Sequence, residues 1–165
     1  MRQKSKYSIF KIPILGLLIL FHCSTYLMAE SEIPLSKGQT VYVPVYSHIY
    51  SGNNNIPFYL TATLSIRNTD PKQSITVLAA DYYDTTGKLL KKYIANPVPL
   101  GPICSTHFII QESDEAGGAG ANFIVKWKSE NPTNIPLIES IMIGTRSSQG
   151  VSFTSRGQAI REGIK

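Results

Sequence analysis

Cysteine, tryptophan and histidine are scarce in this chain, at two, one and three among 165 residues. So few soft ligands cannot furnish a zinc set at metal-site spacing, and a disulfide-stapled scaffold has at most one bridge to draw on. Long apolar runs are missing except for Ile12 to Phe21 (IPILGLLILF), which is shorter than the roughly 18 to 20 residues a helix needs to cross a bilayer core. Amphipathic helical periodicity, fixed-period repeats and low-complexity tracts are lacking as well. The Asn131-Pro132-Thr133 triplet is barred as a glycosylation sequon by its proline, and no other triplet qualifies.

What is present begins with an address. Arg2, Lys4, Lys6 and Lys11 supply a positive region before the apolar run, and the first acidic residue is Glu30. That layout predicts a secretory signal over 1–29, and so export to the periplasm or cell surface. The short apolar run favours a cleaved signal over a retained anchor. Ala29 meets the small-residue requirement at the cut, although Leu27 stands where a second small residue is usual. Cys23 offers a second reading, a lipid-modified N-terminus of an accessory lipoprotein, against which His22 stands where a small residue normally precedes such a cysteine. Membrane contact is then transient unless Cys23 is lipidated or the signal is retained.

Losing the signal changes the electrostatics. Four of the sixteen Lys and Arg lie in it, leaving twelve against eleven Asp and Glu. The sequence pI of 9.2 therefore gives no support to nucleic-acid binding, and no nucleic-acid partner is expected. Only Cys104 remains, so no intramolecular disulfide can form and the fold must stand on its core.

A polar leader over 30–39 precedes a single domain over 40–156 and a tail over 157–165. Period-two alternation is clearest in YLTATLSIR, where Leu60, Ala62, Leu64 and Ile66 share one face. Thr40–Tyr46 alternates Val41, Val43 and Val45 with Tyr42, Pro44 and Tyr46, and Pro44 predicts an edge strand or a bulge. Ser74–Tyr83, Leu89–Ile94, Cys104–Gln111, Ala121–Lys128 and Pro136–Gly144 read as further strands, with a weak one at Val151–Phe153. Phe123, Val125 and Trp127 form one face of their strand. Pro97, Pro99 and Pro102 exclude a regular central element between them. The fold class is all-β: an antiparallel immunoglobulin-like sandwich of about seven strands after a signal helix, with a partly open barrel as the alternative.

At YLTATLSIRN, ADYYDTTGKLLKKY and GGAGANFIVKW the chain resembles the exported bacterial domain-of-unknown-function family 3124, from about Gly38 to Arg156. The resemblance implies bacterial origin, export and an all-β fold. It carries no assigned activity and no catalytic residues.

Candidate binding residues come from two features. Glu112, Asp114 and Glu115 with Gly117 and Gly118 form an acidic glycine-rich loop that could offer oxygens to a hard cation, although it lacks the D-x-D-x-D-G spacing of a calcium loop. Tyr42, Tyr46, Tyr59 and Tyr82 could form an aromatic surface for an envelope protein or glycan. Asp81, Asp84 and His107 are the remaining acid/base candidates, and Cys104 is expected to be a small buried hydrophobe. No catalytic constellation, metal site or cofactor follows. The reading is a non-enzymatic exported binding module, with a metal-assisted or acid/base hydrolase built on the acidic loop as the alternative.

Overall fold

The computed structural model describes residues 33–50, 55–146 and 149–163. The expected signal, its cleavage site and Cys23 lie outside the described residues. Among these residues the chain forms strands β1 (Leu35–Pro44), β2 (His48–Tyr50), β3 (Pro57–Tyr59), β4 (Thr61–Arg67), β5 (Ile75–Tyr83), β6 (Leu89–Lys92), β7 (Val98–Leu100), β8 (Ser105–Ile110), β9 (Asn122–Asn134), β10 (Leu137–Arg146), β11 (Gln149–Arg156) and β12 (Gln158–Glu162), and no helix.

One sheet runs β12-β1-β9-β5-β6 with β7 also on β5, a second runs β11-β10-β4-β8, and β2 pairs with β3. Every pairing is antiparallel. The alternation read from the sequence sets the buried faces. Val41, Val43, Val77, Phe123, Val125 and Trp127 come from the first sheet and Ala62, Leu64, Ile66 and Met142 from the second, with Leu60 just before β4, all in one core cluster. Two separate sheets over a shared core make a β-sandwich and no closed barrel. Tyr93 closes one flank, its ring packed 5.5 Å from both Phe108 and Phe123 and its hydroxyl donating to the Ile109 carbonyl at 3.2 Å.

Several elements differ from the sequence reading. The strand segments are more numerous because β2, β3, β6 and β7 are only three or four residues long, too short to display a period of two. β1 begins at Leu35, inside the expected leader, where the side chains it buries, Ser36 and Gln39, are polar. It is also an interior strand and no edge, yet it does carry the bulge expected as the alternative, with register shifts between Ser36 and Gly38 against β9 and between Thr40 and Val41 against β12; Pro44 is its last residue, beyond the Gln39–Tyr42 stretch that pairs with β12. The Tyr59–Arg67 run is split at Leu60, whose N–H donates to the Ser47 carbonyl. The expected tail contains β12, exposed along its whole length and so without an apolar signature. β7 lies among the prolines as a three-residue strand on β5, with Pro99 opposite Thr76.

Turn chemistry organises the end of the sandwich where β4 stops. Asn68 donates to the carbonyls of Gln73 and Gly101, each at 2.8 Å. The Asp70 carboxylate accepts from the backbone N–H groups of Lys72, Gln73 and Asn134 and from the Thr133 hydroxyl. These bonds favour the charged form, led by the Asn134 amide, and hold the Asp70 carboxyl well below its ordinary value. Cys104 is exposed, contrary to the expected buried hydrophobe. It closes a turn in which its N–H donates to Gly101, following an Ile103 that adopts a φ of 59° and is 67% exposed. The turn projects from the sheet, and the cysteine goes with it.

Candidate functional site

The far end of the sandwich, where β1 ends and β9 begins, gathers the β1–β2 connection, the β2–β3 hairpin, the 84–88 turn and the 111–121 loop. The loop is folded against its neighbours through backbone groups. Ser47 and Gly118 bond reciprocally, the Gly118 N–H donating to Ser47 Oγ at 2.9 Å and the Ser47 N–H to the Gly118 carbonyl at 3.2 Å. Thr85 provides the second anchor: its N–H and its hydroxyl both donate to the Gly117 carbonyl at 3.0 Å, and its Oγ1 accepts from Gly120 N–H at 3.1 Å.

The glycines allow this closeness. A Cβ on Gly117 would lie 1.8 Å from the Tyr82 hydroxyl, and Gly118 holds a φ of +81° with Thr85 Oγ1 at 2.6 Å from an added Cβ. Gly117 and Gly118 therefore seat the loop. Within it, Asp114 Oδ1 accepts from the Ala116 N–H at 3.0 Å, a local turn that occupies one carboxylate oxygen.

Glu112 and Glu115 point elsewhere. With Ser113 and Tyr59 they line an open depression of about 490 Å³. Beside it, His48 stacks edge-on to Tyr59 and Tyr50, at 6.0 and 5.2 Å, and its Nε2 lies 3.1 Å from the Tyr50 hydroxyl. Acidic loop and aromatic hairpin thus share one end of the molecule.

The four tyrosines do not form one surface. Tyr82 is 1% exposed, a core residue whose ring lies 5.2 Å from Phe123, and its hydroxyl has no hydrogen-bond partner among the described residues. Burial pushes that hydroxyl far above the ordinary phenol value, and the nearby charge of Asp114 adds to the shift. Tyr46 turns edge-on to Phe153, 5.7 Å away. Tyr42 is half-buried on β1. Only Tyr59 joins the acidic residues. The alternation that half-buries Tyr42 and Tyr46 runs on past Pro44, but Tyr46 is taken up by Phe153 of β11, and the register shift between Val77 and Ala79 in β5 puts Tyr82 on the core face.

The acid/base candidates are also dispersed. Asp81 sits on β5 opposite Lys92 and Ile124 in the first sheet, whereas His107 sits on β8 opposite Ser65 in the second. Asp84 caps its own turn, accepting from the N–H groups of Thr86 and Lys88 and the Thr86 hydroxyl, which lowers its carboxyl pKa. No group of three or more His, Cys, Asp or Glu side chains among the described residues is arranged to hold a metal. Ser47 and Thr85, which fix the loop, escaped the sequence reading because each lies in a remote segment with no local motif. His48 escaped as a lone histidine, its aromatic partners set by the hairpin.

Two antiparallel sheets over one core, with the functional candidates on end loops, define an all-β sandwich domain. The chain belongs to the family described as protein of unknown function DUF3124, which it matches over residues 38–160. Among solved structures, a crystal structure of Thermotoga maritima 1070 is similar at 12% identity, covering 78% of this chain and 97% of that one with a TM-score of 0.44. No curated protein matches.

Proposed function

We propose that this protein is an exported, non-enzymatic binding module of the periplasm or cell surface, which engages an envelope protein through the acidic and aromatic end of its sandwich. The observation that carries the reading is the shared depression of Tyr59, Glu112, Ser113 and Glu115, held by a loop whose backbone is tied down at Ser47 and Thr85. A site ordered before binding spares the ordering cost that a loose loop would incur on association. Two exposed carboxylates beside aromatic rings suit a basic segment with an apolar or aromatic residue next to the cation, since carboxylates attract the charge and ring faces accept it. Export rests on the basic and apolar pattern of residues 1–29.

The test is affinity capture from an envelope extract with immobilised wild type and with an E112Q/E115Q variant. Wild type is expected to retain a specific partner, released by raised salt, and the variant to lose it. Equal capture by both proteins, or a captured glycan in place of a protein, overturns this reading.

A further inference from the structure

At the other end of β9 from the acidic loop, the outer face of the first sheet carries a half-open depression of about 790 Å³. Thr76 and Lys128 stand opposite each other on that face, while Val77 and Trp127 are turned to the core. Two bulges shape it. In β5 the register against β9 shifts between Val77 and Ala79, so Leu78 is an extra residue and joins the lining half-buried. In β9, Lys128 pairs with Gly38 and Thr133 with Ser36, so residues 129–132 stand opposite Lys37 alone and bend out of the ladder.

The two walls are tied to each other. Ser129 Oγ donates to the Ser74 carbonyl at 2.9 Å, and Asn131 Nδ2 donates to Gln73 Oε1 at 3.1 Å. Behind them, Asp70 accepts from the N–H groups of Lys72 and Gln73 on one wall and from Thr133 and Asn134 on the other. The recess is therefore shaped before anything enters it, which removes an ordering cost from binding. Its lining joins three chemistries. Lys72 and Lys128 are exposed cations. Their neighbour Glu130 is an exposed carboxylate, and the Gln73–Asn131 bond leaves the Gln73 Nε2 protons and Asn131 Oδ1 able to pair again. Leu78 and Pro97 add an apolar patch.

We infer that this depression binds an acidic saccharide, a short run of hexuronate units. The sugar carboxylates meet Lys72 and Lys128, sugar hydroxyls donate to Glu130 and Asn131 and accept from Gln73, and the C–H face of a ring covers Leu78 and Pro97. A small polyanion without hydroxyls would set like charge against Glu130, and a neutral sugar would leave both lysines without a counter-charge. The volume falls within the range of about 300–1,000 Å³ typical of small-ligand pockets. At about 30 Å³ for each water-sized group it holds about 26 heavy atoms, the size of digalacturonate.

The isotope-labelled full chain is titrated with digalacturonate, with its dimethyl ester and with tricarballylate, which has carboxylates and no hydroxyl, while backbone amide shifts are followed. Saturable shifts are expected at 72–78 and 128–131, with digalacturonate bound about tenfold tighter than either comparison compound and released by added salt. Lys72→Gln with Lys128→Gln removes the preference for acid over ester. Asn131→Leu, which breaks the tie to Gln73, weakens acid and ester alike. All three substitutions are at exposed positions, and melts check that the fold is kept. Absence of saturable shifts overturns the inference, as do shifts centred on the 111–121 loop, equal affinity for acid and ester, tricarballylate bound as tightly as digalacturonate, or an acid preference that survives in the double lysine variant. Should a variant fail to fold, the three-compound comparison on wild type still decides the outcome.

Discussion

Gly117 and Tyr82 show how a loop residue and a core residue can depend on each other for space. The Tyr82 hydroxyl occupies the place where a side chain at 117 would begin, so Gly117→Ala forces a shift of the ring or of the loop. Overpacking of that kind costs about 2 kcal/mol, and a lowered midpoint in denaturant melts checks it. Tyr82→Phe is expected to match or exceed wild type in the same melts, because it deletes a buried hydroxyl that has no partner. A loss of more than about 1 kcal/mol in Tyr82→Phe would show that the hydroxyl is bonded after all. Asp70 makes a second prediction at this scale. Its folded pKa is depressed, so its stabilisation is fully present above the ordinary carboxylate value and is lost as pH falls toward and through the folded value. Thermal melts of wild type should therefore drop in midpoint below about pH 4, while Asp70→Asn starts lower at neutral pH and shows a flatter acid limb. Parallel limbs for the two proteins would remove Asp70 from the account of acid sensitivity.

Among the elements, β12 does the most with the least apolar surface. It covers the open side of β1 through the Gln39–Tyr42 stretch, and its Glu162 accepts from Ser36 and Gln39. Truncation after Gly157 leaves β1 as an unprotected edge and strips two buried polar side chains of their acceptor. The expected result is a lower melting temperature with concentration-dependent association, checked by calorimetry and light scattering; an unchanged monomer would contradict it. β12 also marks the limit of what the sequence displays. Strands such as β4 and β9 were legible because one face is apolar and the other is not, and each side chain records that difference. β12 and the first residues of β1 are specified by hydrogen bonds between backbones, which leave no periodic trace in residue type. The split at Leu60 and the extension of β9 past Lys128 arise in the same way, from partners distant in the chain.

For the molecule as a whole, the sandwich class could be read from composition and alternation, whereas the order of strands across each sheet could not. The acidic loop was visible as a cluster of carboxylates and glycines, yet its setting depends on Ser47 and Thr85, more than thirty residues apart. Tyr59 was separable from Tyr46 and Tyr82 only through partners remote in the chain, Phe153 beside Tyr46 and Phe123 beside Tyr82. A further consequence lies in the pairing of β1 itself. Its neighbours are β9 and β12, so a chain synthesised N-terminus first presents a strand with no partner until positions 122–162 have followed. Contacts that join such distant segments raise contact order and slow folding. β1 therefore joins its sheet late, after β5, β6 and β7 are already available to pair with one another, and it stands as an unpaired strand until then.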